Sequence, residues 1–500
     1  MTITSSLFKI LSCRDHVDYV LIVIALSSVL WYIWLYAKSK RRPHPLPPGP
    51  WGLPIIGNLP FLKPDLHTYF QALAKTHGPI FKLWLGSKLA IVVTSPEVAH
   101  EILRTNDVIF ANHDVPAVAL INMYGGIDIA WSPYGPRWRM LRKLCVTRIL
   151  SNAKLDSFAG LRRAETRRTV RYLAEMARAG SQVNLGEQIF LMILNVVTQM
   201  LWGATVEEEE REIVGAEFKG LVEEMSDLML EPNLSDFFPA LSRFDIQGLA
   251  KRMRGPAEKM DRLFDKVINQ RLGMDKGSEG KGEDFLEVLL KIKDEEEAST
   301  NFNMNDVKAL PMDMVLGGTD TSIHVIEFAM AKLLKNQDIM KRAQQELDEV
   351  VEESHIPKLP YILAIMQETL RLHTIIHSFG FTIPKDSKIF INAWAIHMNP
   401  NVWENPLEFD PNRFLDKSYD FNGNDLNYIP FGSGRRNCVG MAMGERVFLY
   451  NIATLLHSFD WKLPQGERME VKKHFGITLK LKNPLLTTPV LRLSDPNLYN

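Results

Sequence analysis

A mainly α-helical globular body with small β-sheets, preceded by one N-terminal transmembrane helix, is the fold class this chain predicts. Long amphipathic runs such as Gln188–Trp202 and Pro256–Leu272 repeat their apolar residues at helical spacing. Short β-rich runs interrupt them, chiefly Ile80–Leu85 and Lys88–Thr94, which flank Gly86 as a hairpin would. Near the start, Tyr19–Ala37 runs nineteen residues without a charge.

That apolar run sets the order of the N-terminal elements. As a helix it would be about 28 Å long, close to the hydrocarbon thickness of a bilayer. Trp31, Tyr32, Trp34 and Tyr36 gather at its end, where an aromatic belt sits, and Lys38, Lys40, Arg41 and Arg42 follow at once. Only Lys9, Arg14, Asp15 and Asp18 stand on the other side, so the excess of positive charge places the downstream body in the cytosol. A cleaved signal peptide would be shorter and would end in small residues, so an uncleaved anchor is the reading. The expected division is a short lumenal stretch at 1–18, an anchor at 19–37, a basic and proline-rich hinge at 38–60, and a catalytic body at 61–500. The hinge carries Pro43-His44-Pro45-Leu46-Pro47-Pro48-Gly49-Pro50, which favours an extended, semi-rigid strut.

Composition narrows the classes further. Of 500 residues 46% are hydrophobic and 23% charged, as in a globular protein with a large core. A net charge of −1 gives no reason to expect nucleic acid. Three cysteines, Cys13, Cys145 and Cys438, cannot build a disulfide framework for this length, which fits a reduced compartment. Gly273–Asp284 reads as a loop, and the acidic runs Glu207–Glu210 and Asp294–Glu297 as solvated faces.

The chemistry concentrates in Phe431–Gly440, F-G-S-G-R-R-N-C-V-G. A thiolate that binds iron needs backbone N–H donors near sulfur, and Gly434 and Gly440 would let the backbone approach Cys438. Arg436 could neutralise a haem propionate, and Phe431 could pack beside the sulfur and keep water away. A surface turn holding a free cysteine is the alternative for this string alone. The loop resembles the haem-ligand loop of the cytochrome P-450 superfamily, and motifs in matching order extend the resemblance from the proline strut to the C-terminus. The wording of G-G-T-D-T-S, W-A-I-H, V-W-E-N-P-L-E-F and A-T-L-L-H-S-F-D-W is similar to the plant microsomal group, nearest a branch with sesquiterpene (cadinene-type) hydroxylases.

The resemblance implies roles for several residues. Gly317-Gly318-Thr319-Asp320-Thr321-Ser322 interrupts a helical pattern over Met304–Lys335 and matches the oxygen-activation motif. Gly317 and Gly318 would make room for dioxygen, and Asp320 and Thr321 would handle its protons. Pro311 falls inside this helix, so a kink or lost turn is expected there. Trp138 and Arg142, four apart on one helical face, would bind a haem propionate. Arg137, Arg139, Lys143 and Arg148 nearby would face an acidic electron donor or form a solvated edge. Glu368, Arg371 and Arg413 would form a buried triad serving fold and haem incorporation. The apolar loop Val115–Met123 would roof the substrate pocket through Val118 and Ile121, and Phe475–Leu479 would reach it with Ile477 and Thr478.

One stretch departs from the family pattern. Between Arg371 and an expected strand at Lys388–Ile396, residues 372–387 are too few for the usual strand and hairpin. Ile376 and Phe379 are the substitutes for that wall. The implied function is a haem-thiolate monooxygenase of the endoplasmic-reticulum membrane, with haem b and electrons from NADPH through NADPH-cytochrome P-450 reductase. Its substrate would be a lipophilic small molecule, a sesquiterpene-like terpenoid by preference. A reductase-independent isomerase or dehydratase and a non-catalytic haem binder are the alternatives.

Overall fold

The computed structural model describes residues 19–20, 22–34, 46–203, 208–273, 284–300, 302–349, 358–374, 378–379, 387–415, 419–463, 473–475 and 479–499. Among the described residues helices dominate, with three small sheets beside them, as the sequence predicts.

The first sheet has the order β1–β2–β5–β4, with β1 Ile80–Leu85, β2 Lys88–Val93, β4 Ser378–Phe379 and β5 Lys388–Ile391. β1 and β2 are the expected hairpin, antiparallel with Leu85 opposite Lys88. β1 alternates strictly: Phe81, Leu83 and Leu85 are buried while their neighbours are half-buried. β2 is buried from Leu89 to Val93, because a parallel partner, β5, lies beside it. The strand expected over Lys388–Ile396 is shorter. It ends at Ile391, and Asn392 caps a helical turn, Ala393–His397, through the Ala395 N–H. The second sheet orders β3 Val183–Asn184, β9 Leu486–Leu491 and β6 Phe459–Lys462, and a third pairs β7 Lys473–Phe475 with β8 Leu479–Leu481.

The main core lies among the helices Ala159–Arg178, Leu185–Trp202, Leu249–Gly273, Met304–Gly318, Asp320–Lys335, Pro360–Leu372 and Met441–Ser458. Leu185–Trp202 is long and apolar enough to cross a membrane, but 61% of it is buried within the protein, so it is a core helix. Ile22–Trp34 is also apolar and mostly solvent-facing.

No turn is lost at Pro311. The Met304–Gly318 helix continues through Pro311, which is buried among its neighbours, and the interruption falls at Thr319. A proline removes one N–H bond, whereas packing on several sides holds the helix in place. At Thr319 the hydroxyl donates to the Val315 carbonyl at 2.6 Å, and two residues on the Thr321 hydroxyl donates to Gly317 at 2.7 Å. Hydroxyls bonding back one turn bend a helix, and the adjacent glycines resist little.

Candidate active site

A cavity of about 450 Å³ lies between the Met304–Gly318 and Asp320–Lys335 helices and the cysteine loop. Cys438 lines it on one side, and Gly317, Gly318, Asp320, Thr321 and Ser322 also line it. Most of the remaining wall is apolar.

The cysteine loop is built to hold one conformation. Phe431 accepts the Cys438 N–H on its carbonyl at 2.9 Å and turns its ring to the cavity wall. At Gly440 an added Cβ would stand 3.8 Å from Sγ, and the Gly440 N–H points at the sulfur. Burial pushes the Cys438 thiol up, and that N–H together with the Arg142 charge opposes the push. Gly434 serves another contact than the one expected. Its φ is +72°, and a Cβ there would lie 2.2 Å from the Leu103 carbonyl oxygen, so it seats the loop on the Glu101–Thr105 turn and not on the sulfur.

Trp138, Arg142 and Arg436 come together. Both guanidiniums lie over Trp138, Arg436 4.2 Å and Arg142 5.5 Å from its ring centre. Its indole N–H donates to the Ile129 carbonyl at 3.0 Å. Arg142 donates to both the backbone and side-chain oxygens of Asn437, the residue before the cysteine. Arg436 donates to the carbonyls of Ala111, Ile129 and Ser132, and burial pulls it down to about 10. Beside it, burial pulls His113 down to about 4, aided by the Arg436 charge, and its Nδ1 lies 2.7 Å from the Ala130 carbonyl.

The expected basic patch is partly spent on internal pairs. Arg137 bonds the buried Asp306 at 2.6 Å, and Arg148 lies 3.7 Å from Glu295.

The predicted triad forms. Arg371 holds both oxygens of Glu368, and Arg413 approaches the same carboxylate at 3.4 Å. Arg371 also donates to the carbonyls of His397, Pro406 and Glu408, so one cation ties the Pro360–Leu372 helix to the segment before the cysteine loop. Burial pushes the Glu368 carboxyl up, opposed by the bonds from Arg371.

The predicted substrate wall is only partly recovered. Gly317 and Gly318 line the cavity, but Val118 and Ile121 pack into the main core. Met123, which follows the short helical turn Ala119–Asn122, and Ile129 line the cavity instead. Ile376, Ile477 and Thr478 lie outside the described residues, and so does the Phe379 side chain.

Sequence reasoning missed Ser226, Met229 and Asp313, all of which line the cavity. Asp313 accepts the Ile129 N–H at 2.8 Å, and the buried Asp128 accepts those of Trp131 and Ser132. Burial pushes both carboxyls up, Asp128 to about 6, with the charge of Asp128 adding to the rise at Asp313. An acid one turn before Gly317 within an apolar helix was the available signal.

A cytochrome P450 family profile matches residues 47–488. A flavonoid 3′-monooxygenase of Crocosmia x crocosmiiflora is 37% identical, covering 94% of this chain and 97% of the relative. A 3,9-dihydroxypterocarpan 6A-monooxygenase of Glycine max is 35% identical, covering 95% and 98%. A zebrafish cytochrome P450 solved with progesterone shares the fold, with TM-score 0.69 at 22% identity, covering 85% of this chain and 99% of that one. The residues present fit a haem: a lone thiol at the cavity wall, no Cβ at Gly440 beside its sulfur, two guanidiniums for an anionic edge, and apolar sides. The chain therefore belongs to the cytochrome P450 family, alongside plant members, as a haem-dependent monooxygenase driven by electrons from NADPH through a reductase.

Proposed function

We propose that the chain is anchored in the endoplasmic-reticulum membrane, that Cys438 ligates the haem iron, and that one oxygen atom of O₂ is inserted into a lipophilic plant specialised metabolite. The observation that carries this is a single apolar cavity lined by Cys438 and by the Asp320–Thr321 pair. Haem supplies oxygen activation when bound, favoured by a thiolate ligand. The chain's own residues do the rest. The Gly440 N–H and the Arg142 charge temper the sulfur. Arg142 and Arg436, locked over Trp138, hold the propionate edge. Asp320 holds a proton-exchanging carboxyl at the wall, paired with Lys480 at 3.2 Å, and Thr321 carries a hydroxyl beside it. Met123, Ile129, Met229 and Leu370 exclude water. The apolar, solvent-facing Ile22–Trp34 helix supports the anchor.

The substrate class is best approached through the relatives. Those named act on flavonoids and a pterocarpan, so fused phenolic rings lead the candidates. The terpenoid preference, and the cadinene-type branch behind it, rest on the apolar cavity and motif wording alone. Retention of Asp320 and Thr321 at the cavity favours oxygen chemistry over isomerisation or dehydration.

A reduced carbon-monoxide difference spectrum of the full chain tests the site. A thiolate-type band is expected, and Cys438→Ser removes it; survival of the band in that variant defeats the ligand assignment. Microsomes carrying the chain and a reductase, given flavanones, pterocarpans and sesquiterpene hydrocarbons, test the substrate. Oxygenation of a flavanone or pterocarpan is expected. Turnover of the hydrocarbons alone reverses that preference, and no NADPH-dependent product from any class defeats the catalytic reading.

A further inference from the structure

The acid–alcohol pair at the cavity does not stand alone on its helix. Asp320, His324 and Glu327 fall on one face of the Asp320–Lys335 helix, at spacings of four and three. The His324 Nε2 lies 3.3 Å from Asp320 Oδ1, and its Nδ1 lies 3.4 Å from Glu327 Oε2. The Asp320 approach is close but off the hydrogen-bond line, so a small rotation of either side chain completes that bond. All three side chains are largely withdrawn from solvent. Two carboxyls and an imidazole in such a place are strongly coupled.

We propose that His324 extends the proton route beyond Asp320, passing protons between the Glu327 and Asp320 carboxyls; this rests on the roles of Asp320 and Thr321 proposed above. A proton leaving Glu327 Oε2 is taken at His324 Nδ1 and gives an imidazolium. The Nε2 proton then passes to Asp320 Oδ1, the ring returns neutral as the Nδ1–H tautomer, and loss of that proton at Nδ1 with uptake of one from water at Nε2 restores the starting tautomer. Asp320 reaches the cavity wall beside Thr321.

The far end of the chain is shaped for Glu327. Gly186, in the first turn of the Leu185–Trp202 helix, faces that carboxyl, and a Cβ there would stand 2.4 Å from Glu327 Oε1. The next residue, Glu187, is exposed, so Glu327 lies against a turn close to solvent. Asp320 and Glu327 are the charged groups acting on the imidazole, and Lys480 reaches Asp320 from β8. Burial pulls the imidazole down, but the bonds and charges of the two carboxylates prevail and hold it above the ordinary histidine value. The two carboxylates thus favour the protonated ring, the form that can hand a proton on.

Three variants of the full-length holoprotein test the idea: His324→Gln, Glu327→Gln and Gly186→Ala. The last displaces Glu327 without removing a titratable group. All three are expected to keep the thiolate-type carbon-monoxide band. With a compound turned over in the screen above, His324→Gln is expected to lower product per NADPH by about 10-fold, raise the solvent deuterium isotope effect and flatten the pH profile. Histidine NMR, with the His324 signal assigned by its loss in His324→Gln, is expected to show titration above the ordinary value and a downward shift in Glu327→Gln. Unchanged coupling, isotope effect and pH profile in His324→Gln overturn the relay and leave the imidazole a structural group. Absence of the shift in Glu327→Gln overturns the link to Glu327. If the wild-type chain lacks the thiolate band or turns over nothing, the functional reading fails instead, and the NMR titration judges the histidine link by itself.

Discussion

Arg371 grips Glu368 through its Nε and Nη2, 2.6 and 2.7 Å from the two carboxylate oxygens, and neither side chain reaches solvent. Arg413 shares that carboxylate more loosely, at 3.4 Å and from a partly exposed position. The two arginines should therefore differ sharply on removal. Arg371→Met strands a buried carboxylate and is expected to cost about 3–5 kcal/mol, whereas Arg413→Met should cost about 1 kcal/mol. Urea unfolding followed by haem content checks both, and equal losses would contradict the unequal roles.

His397 gives a pH prediction. Burial and the Arg371 charge pull its imidazole down to about 3, while Nε2 accepts the Ile429 N–H at 2.9 Å and Nδ1 meets the Thr374 hydroxyl. The folded value lies below the unfolded value of about 6.5, so the unfolded chain binds more protons between the two. Stability from this neutral ring is complete above about pH 6.5 and declines as pH falls toward 3, by about 2 kcal/mol at pH 5. His397→Gln keeps an acceptor and removes the titration. Its unfolding midpoint should fall less steeply than that of the wild type between pH 6.5 and 5, and parallel slopes would rule the effect out.

Gly434→Ala should damage the cysteine loop without touching its chemistry. The backbone there has φ +72°, and the new Cβ would meet the Leu103 carbonyl at 2.2 Å. Strain and clash together are expected to cost about 2–4 kcal/mol. Thermal unfolding should fall, and the carbon-monoxide spectrum should gain an inactive-type component. A wild-type spectrum and melting point would show that the loop has slack.

Tyr124 holds the roof. It sits at φ 49°, its hydroxyl donates to Asp261 at 2.9 Å, and Lys308 bonds the same carboxylate at 2.7 Å. Tyr124→Phe removes one hydrogen bond worth about 1 kcal/mol, and it leaves the Asp261–Lys308 pair intact. Carbon-monoxide rebinding after flash photolysis is expected to quicken by about 5-fold, the kinetic equivalent of that bond. An unchanged rate would place access elsewhere.

Local strings were the legible part of this protein. The hairpin around Gly86 follows from β-rich runs split by a turn residue, and the Glu368–Arg371 pair follows from helical spacing. Joining Arg413 to that pair, and giving Cys438 a purpose, took the resemblance, because neither follows from spacing. What stayed hidden depends on direction in three dimensions. Val118 and Met123 are both apolar members of one loop, and only the folded chain shows that Met123 is the one lining the cavity. The position of Gly434 suggested sulfur, but its neighbour is Leu103, more than three hundred residues earlier. That the helix keeps its turn at Pro311 was likewise hidden, because a local rule about proline ignores the helices packed around it.

Arg436 has a mechanical consequence. One guanidinium fastens the turn carrying Cys438 to Ala111, Ile129 and Ser132 at once. The sulfur and that stretch of wall are thus mechanically coupled, and a displacement at 129–132 would be felt at the thiol. Substitutions around Ile129 should then register spectroscopically at the sulfur, so specificity can drift at one end of the loop while the other stays tied to redox chemistry.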